Sequence, residues 1–295
     1  MPPHNPDKRL GIIQKHLDPS QDKSHLHNTL LGKVAIITGC NSILGIGIAT
    51  AHKYAQSCAK AIYICDFDDS NLAQHKSDLT KLYSNTDIIF RKFDAADEKA
   101  VKQLVKYECV LGLRFDCYRD VINTYKRLDI FFANAARIGN FFIPDITPEE
   151  FMETLRVNTL SAFLAIKHAS PAMQVICSEK KDAGGSIIVT ASVAGLRSGA
   201  GGPDYSASKA AVISLVQTGS WQLSGTRVRV NAICPGLIET GMTEAVFGTS
   251  PIPDEFDWER DGPEEGNRGK DWTVESDEAV WRSFRGCECG FVSCV

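Results

Sequence analysis

The sequence lacks the features that mark membrane, nucleic-acid-binding or disordered proteins. No uncharged apolar run approaches the roughly 18 residues that a membrane span needs. Basic residues are not in excess, because 32 Lys and Arg stand against 36 Asp and Glu, for a net charge of −4 and a pI near 6.0. We therefore expect neither a nucleic-acid partner nor a membrane partner. Of the 295 residues 43% are hydrophobic and 23% are charged, which excludes a disordered or collagen-like chain.

The ten cysteines form no spacing that is typical of a metal site, so no metal is expected. Cys287 and Cys289 are separated by one residue, and the others lie mostly singly along the chain. Residues 1–31 contain no apolar core of signal-peptide length, and we expect them to form a flexible N-terminal arm. With no secretory signal in these residues, we expect the cysteines to be reduced thiols in a cytoplasmic protein.

Short apolar runs alternate with longer amphipathic stretches between residues 32 and 243, which we expect to form a single domain. The apolar runs predict strands at 34–37, 61–65, 88–93, 129–133, 186–190 and 227–233. The stretches between them predict helices at 48–56, 70–82, about 97–126, 149–169 and 204–223. Because the strands are apolar without alternation, the pattern predicts an α/β fold, a doubly wound parallel sheet in three α/β/α layers. Ligands are expected beyond the carboxyl ends of the strands.

A glycine-rich turn follows the first predicted strand and leads directly into a helix. Its glycines, Gly39, Gly45 and Gly47, would let the backbone approach a pyrophosphate, whose charge then lies at a helix N-terminus. Asp66 follows the second strand, where an acid that binds ribose hydroxyls is expected. A carboxylate there repels a 2′-phosphate, which favours NAD over NADP. The alternative is a tight turn beside a solvated acid.

Tyr205 and Lys209 lie four residues apart, on one face of a predicted helix. A free phenol has a pKa of about 10, and we expect the neighbouring ammonium and a positive nicotinamide to lower the pKa of Tyr205. Such a tyrosine can transfer a proton to or from an alcohol oxygen while a hydride moves at carbon. Ser192, just after the fifth predicted strand, is placed to hold the same oxygen. Taken alone, the Tyr–Lys spacing is common on helix surfaces, and it gains weight from the glycine-rich turn.

With these motifs, residues 31–243 resemble the short-chain dehydrogenase/reductase family, whose domain is a Rossmann fold. Asn134-Ala135-Ala136 is similar to the family's Asn-Ala-Gly segment, and Asp94 to the acid that holds the adenine ring. The resemblance implies a catalytic tetrad of Asn158, Ser192, Tyr205 and Lys209. In this tetrad Asn158 anchors a water that links Lys209 to solvent. Without the resemblance, Asn158 could be a helix-kink residue and Asp94 a turn acid.

The resemblance also implies a set of residues that bind the cofactor, NAD or NADP. They are Gly39, Gly45, Ile46, Gly47, Asp66, Asp94, Asn134, Tyr205, Lys209, Pro235, Gly236, Ile238 and Thr240. The residues from Pro235 onward match the segment that covers the nicotinamide. The loop from Cys40 to Leu44 is two residues longer than usual and looks like a variant of fungal members.

Two stretches depart from the family's pattern. Residues 107–119 lengthen the helix before the fourth strand, and codons permitted at their ends allow an in-phase intron. This stretch is therefore either a retained intron or a genuine surface insertion. Residues 269–294, read one base later with permitted codons, resemble the family's C-terminal segment. We accordingly expect residues 244–295 to be an atypical, poorly ordered tail.

These departures leave alternative functions open. The first is an NAD(P)-dependent oxidoreductase that interconverts a small-molecule secondary alcohol and a ketone by hydride transfer, with Tyr205 as the general acid/base. The second is a non-catalytic dinucleotide-binding protein, because the family's C-terminal portion supplies a substrate-covering helix and much of the oligomer interface. A third is an epimerase or dehydratase on the same scaffold. A homo-oligomer is typical of the family but is not expected if that portion is altered.

Overall fold

Six parallel strands form one sheet in the computed structural model, which describes residues 29–105, 121–197, 201–238 and 240–243. The strands are β1 (Val34–Thr38), β2 (Ala61–Asp66), β3 (Asp87–Lys92), β4 (Ile130–Ala133), β5 (Gly185–Thr190) and β6 (Val228–Ile233). Their order is β3-β2-β1-β4-β5-β6, and every neighbouring pair is parallel. The predicted doubly wound α/β fold is confirmed.

Helices connect the strands close to the predicted positions. They are α1 (Ile46–Gln56), α2 (Leu72–Leu82), α3 (Glu98–Val105), α4 (Val121–Tyr125), α5 (Pro148–Leu155), α6 (Ser161–Met173), α7 (Val193–Leu196) and α8 (Pro203–Gln222). The single helix predicted over 149–169 is instead divided, because a π-helical segment, Arg156–Leu160, lies between α5 and α6. Arg227, predicted to begin the last strand, has a φ of +60°, so β6 begins one residue later. The four-residue helix α7 is too short to show a period in the sequence.

The sheet is buried on both faces, which explains why its central strands are apolar throughout. Successive side chains of a strand point to opposite faces. Ile36 and Tyr63 belong to a hydrophobic cluster on one face, and Ile37 and Ile64 to a second cluster on the other. None of these four side chains is more than 1% exposed. Burial of each contributes about 1.5–3 kcal/mol to the hydrophobic stabilisation of the fold.

The chain reverses its direction of winding at β1, which pairs with β2 on one side and with β4 on the other. In doubly wound sheets a ligand crevice opens at this reversal, outside the carboxyl ends of the strands. The glycine-rich turn follows β1 and the Asn134 segment follows β4, so both predicted motifs lie at the reversal.

Several predictions concern residues outside the described ranges. They are the N-terminal arm apart from residues 29–31, the insertion at 107–119 and the tail at 244–295. The long helix predicted over 97–126 is described only in part, as α3 and α4. Within the described part of the chain, no helix combines the length and the apolar character that crossing a membrane requires.

Candidate active site

A cavity of about 1000 Å³ lies beyond the carboxyl ends of the strands. The predicted site residues that line it are Gly39, Gly45, Ile46, Asp66, Asn134, Ser192, Tyr205, Lys209, Pro235, Gly236, Ile238 and Thr240. Three other predicted residues, Gly47, Asp94 and Asn158, are not part of the lining. The cavity therefore brings most of the predicted cofactor residues together with three of the four predicted tetrad residues.

Two glycines of the glycine-rich turn, Gly39 and Gly47, lie too close to neighbouring atoms to carry side chains. A Cβ atom on Gly47 would lie 2.3 Å from the carbonyl oxygen of Gly39 and 3.1 Å from Nδ2 of Asn134. Gly39 itself has a φ of +74°, and its carbonyl accepts a hydrogen bond from Asn134 Nδ2 at 3.2 Å. Gly45 precedes α1 and supplies no side-chain cap, which leaves the helix N-terminus open to an anion. The residues present thus fit the pyrophosphate of a dinucleotide.

Asp66 turns its carboxylate towards the glycine-rich turn at the wall of the cavity. Its Oδ2 accepts a hydrogen bond from the backbone N–H of Asn41 at 2.8 Å, and Oδ1 accepts one from Asp68 at 3.2 Å. Burial raises the pKa of Asp66, and these backbone hydrogen bonds act against that rise. The side chain of Asn41 donates to Asp68 and Ser70, at 2.8 and 3.0 Å. Sequence reasoning missed Asn41, whose only signal is a polar residue inside the lengthened loop.

The segment after β6 closes against the glycine-rich turn. The backbone N–H of Gly241 donates to Ser42 Oγ at 3.3 Å, and the N–H of Thr240 donates to Thr243 Oγ1 at 2.8 Å. The cavity is therefore bounded on one side by the turn after β1 and on the other by residues 240–243. Ser42 is a second cavity residue that the sequence did not single out.

Tyr205 and Lys209 project from α8 towards the same end of the cavity. The Lys209 Nζ atom lies 5.5 Å from the centre of the Tyr205 ring and donates a hydrogen bond to the Thr190 carbonyl at 2.8 Å. Lys209 is 1% exposed, and burial lowers its pKa to about 8. Burial also raises the pKa of Tyr205, against the effect of a hydrogen bond with Ser192. Burial thus destabilises the phenolate more than Ser192 stabilises it, whereas the lowering predicted from the sequence depends on a positive nicotinamide as well as on Lys209.

Ser192 also caps a helix, and this contact fixes its position beside Tyr205. It is the N-cap of α7, where its Oγ accepts a hydrogen bond from the backbone N–H of Ala194 at 3.1 Å. The side chain is nevertheless part of the cavity lining. The cap therefore holds the hydroxyl in one place at the carboxyl end of β5.

Asn158 lies in the π-helical segment, buried behind the cavity wall. Its Oδ1 accepts a hydrogen bond from the N–H of Arg137 at 2.8 Å, and its Nδ2 donates to the Arg137 carbonyl at 3.0 Å. Nδ2 also donates to Ser208 Oγ at 2.9 Å, and that hydroxyl donates to the Tyr205 carbonyl at 2.7 Å. Ser208 thus joins Asn158 to the helix that carries Tyr205 and Lys209. In the sequence, the only signal for Ser208 is its place between Tyr205 and Lys209.

The Asp94 carboxylate is hydrogen-bonded to other residues of the protein and is not part of the cavity lining. Its Oδ2 accepts a hydrogen bond from Arg156 Nη1 at 2.7 Å, and its Oδ1 accepts one from the N–H of Ala96 at 2.8 Å. The role of Asp94 in adenine binding stays a prediction, and the structure gives this carboxylate a different partner.

The cavity also has a group of apolar lining residues. Its walls include the side chains of Ile138, Phe141, Val193, Leu237 and Met242. Among the described residues, no cluster of three or more His, Cys, Asp or Glu could hold a metal ion. The arrangement suits a small organic molecule whose one polar group meets Ser192 and Tyr205.

Comparison with known proteins agrees with this geometry. A family model described as short chain dehydrogenase matches residues 33–250. A (+)-cis,cis-nepetalactol synthase of Nepeta racemosa is 33% identical over 216 residues, which cover 72% of this chain and 71% of that protein.

Two solved structures with the same fold belong to proteins that use different cofactors. An NAD⁺-bound xylitol dehydrogenase superposes with a TM-score of 0.60 at 27% identity, covering 73% of this chain and 74% of that one. The NADPH-dependent 3-quinuclidinone reductase of Rhodotorula rubra superposes with a TM-score of 0.61 at 25% identity, covering 76% and 77%. The fold therefore accommodates either dinucleotide.

Proposed function

The chain belongs to the short-chain dehydrogenase family, and we propose that it is an NAD(P)-dependent oxidoreductase that interconverts a secondary alcohol and a ketone. One observation carries the proposal. Ser192, Tyr205 and Lys209 converge at one end of a cavity that also contains the glycine-rich turn and Asp66. The nicotinamide dinucleotide, when bound, supplies the hydride acceptor or donor.

The residues proposed to bind the cofactor are chosen for their charge and for the space around them. The glycine-rich turn and the N-terminus of α1 are proposed to hold the diphosphate, because they offer backbone N–H groups without obstructing side chains. Asp66 is proposed to accept hydrogen bonds from the ribose hydroxyls, which makes NAD the favoured cofactor. Pro235, Gly236, Ile238 and Thr240 are proposed to lie along the nicotinamide half.

Tyr205 is proposed to be the general acid/base. Burial keeps its phenol protonated at neutral pH, which is the state required to donate a proton to a ketone oxygen during reduction. The Ser192 hydroxyl donates a hydrogen bond to the same oxygen. Burial lowers the pKa of Lys209 to about 8, and wherever the amine is protonated its charge favours the phenolate that proton donation leaves.

Asn158 is proposed to complete the tetrad by anchoring the water that links Lys209 to solvent. Support comes from its place in a π-helical segment, a distortion that is frequent at functional sites. The hydrogen bonds through Ser208 hold this segment against α8. We further propose a cytoplasmic location, where cysteines are kept reduced.

The proposal is tested first by calorimetry with NADH and NADPH on the wild type, Tyr205→Phe and the control Tyr54→Phe. Tyr54 lies on α1 and is not part of the cavity lining. We expect all three proteins to bind NADH more tightly than NADPH. Absorbance at 340 nm is then followed over a panel of secondary alcohols and ketones, where only Tyr205→Phe should be inactive.

Three results would contradict parts of the proposal. Failure to bind either dinucleotide would remove the cofactor assignment. Binding without turnover across the panel would favour a non-catalytic dinucleotide-binding protein. Product formation without net change at 340 nm would favour an epimerase or dehydratase.

A further inference from the structure

The carboxylate of Asp94 has two donors within the protein. It follows β3, where the resemblance expects an acid that binds the adenine ring. Oδ1 accepts the N–H of Ala96 at 2.8 Å, which closes a local turn, and Oδ2 accepts Arg156 Nη1 at 2.7 Å. The side chain is 28% exposed but is absent from the cavity lining. Both hydrogen bonds of the Asp94 carboxylate are therefore made to other residues of the protein, outside the cavity lining.

Arg156 has little freedom to release this carboxylate. Its Nε and Nη2 donate to the two oxygens of Glu153, at 2.7 and 2.8 Å, in the preceding turn of the helix. Because this planar two-bond contact fixes the guanidinium, the third nitrogen is held facing Asp94. The two carboxylates raise the pKa of Arg156, so the group stays charged.

Arg156 is also the first residue of the π-helical segment that contains Asn158. The segment is held elsewhere by Asn158, which contacts Arg137 and Ser208, and by Thr159 Oγ1, which donates to the Ser208 carbonyl at 3.1 Å. The ion pair with Asp94 adds an attachment to the carboxyl end of β3. Asp94 therefore helps to hold the segment that contains Asn158, a proposed tetrad residue.

We propose that Arg156 holds the Asp94 carboxylate away from the dinucleotide, so that Asp94 anchors the π-helical segment and the site does not recognise the adenine amino group. Arg156 is then a positioning residue that sets the specificity at the adenosine end. The inference rests on the proposed function, because it concerns how the same site holds its dinucleotide.

The first test compares the Kd of NADH with that of reduced nicotinamide hypoxanthine dinucleotide, which has a carbonyl in place of the adenine amino group. We expect the wild type to bind the two within about twofold, and Asp94→Asn to leave their ratio unchanged. Asp97→Asn is the control, because Asp97 Oδ1 accepts the N–H of Lys99 two residues later. A preference for NADH of about tenfold or more that Asp94→Asn abolishes would overturn the proposal.

The second test needs no dinucleotide. Hydrogen exchange of the amides of residues 156–160 is measured in Asp94→Asn, Arg156→Ala and the double variant, relative to the amides of β1 so that a general loss of stability does not imitate the effect. We expect each single change to accelerate exchange by about tenfold, and the double variant to exchange no faster than Arg156→Ala. Additive acceleration, or none, would overturn the anchoring role. Failure of every variant to bind NADH would instead refute the proposed function, and this second test would still decide the role of Asp94.

Discussion

Replacing Lys209 by methionine is expected to remove a penalty that the buried amine imposes on folding. Burial lowers the pKa of Lys209 from 10.5 to about 8, so the unfolded chain binds this proton more tightly than the folded one. The penalty is fully present below pH 8 and is relieved as the pH rises from 8 to 10.5. These two pKa values correspond to about 3 kcal/mol at pH 7 and about 1 kcal/mol at pH 10.

Urea unfolding at both pH values separates this effect from changes in packing. Methionine keeps much of the aliphatic stem, and the hydrogen bond from Nζ to the Thr190 carbonyl is lost at either pH. Both changes therefore largely cancel when the two pH values are compared. We expect the free energy of unfolding of Lys209→Met, relative to the wild type, to be about 2 kcal/mol lower at pH 10 than at pH 7.

A relative free energy that stays the same at pH 7 and pH 10 would refute this reasoning. It would mean that the folded protein stabilises the Lys209 ammonium as well as water does. Lys53→Met is the control for removing a lysine side chain, because Lys53 is exposed on α1. Activity is expected to be lost in Lys209→Met in either case, so stability and activity should change independently.

Two further predictions concern the glycine-rich turn and the contact between the π-helical segment and α8. Gly47→Ala should weaken NADH binding by at least about tenfold in calorimetry, because the new Cβ would overlap the Gly39 carbonyl. Unchanged affinity would contradict the proposal that the glycine-rich turn binds the diphosphate. Ser208→Ala should lower kcat about tenfold with the Kd of NADH unchanged, because it removes the hydroxyl between Asn158 and the Tyr205 carbonyl. Ser206→Ala is its control, since Ser206 donates to Gly201 instead, and equal losses in both variants would argue against a specific role for Ser208.

The central sheet could be predicted because burial on both faces leaves a direct signal in the sequence. All five residues of β1 are buried, so the strand reads as one apolar run. The π-helical break in the long helix before β5 leaves no such signal, because it spans only five residues and helix continues on both sides of it. The break is associated with hydrogen bonds made in the folded state, among them those from Asn158 to Arg137 and Ser208.

The site was predictable where local spacing fixes geometry. Tyr205 and Lys209 are four residues apart on one helix, so their proximity follows from the helix itself. The partner of Asp94 could not be predicted in this way, since Arg156 lies 62 residues later and meets it only after the sheet and the helices have packed. Direct contacts of this kind depend on tertiary structure rather than on spacing.

The direction of the Tyr205 pKa shift shows why burial must be considered together with charge. The same burial raises the pKa of Tyr205 and lowers that of Lys209, so it favours the neutral phenol and the neutral amine together. Burial therefore opposes the phenolate that the Lys209 ammonium would stabilise, although helical spacing places the two groups side by side. If Tyr205 is the general acid/base, alcohol oxidation requires additional positive charge at this end of the cavity, and an oxidised nicotinamide carries such a charge. The proton affinity of Tyr205 would then follow the redox state of the cofactor, with a base available for oxidation and an acid for reduction.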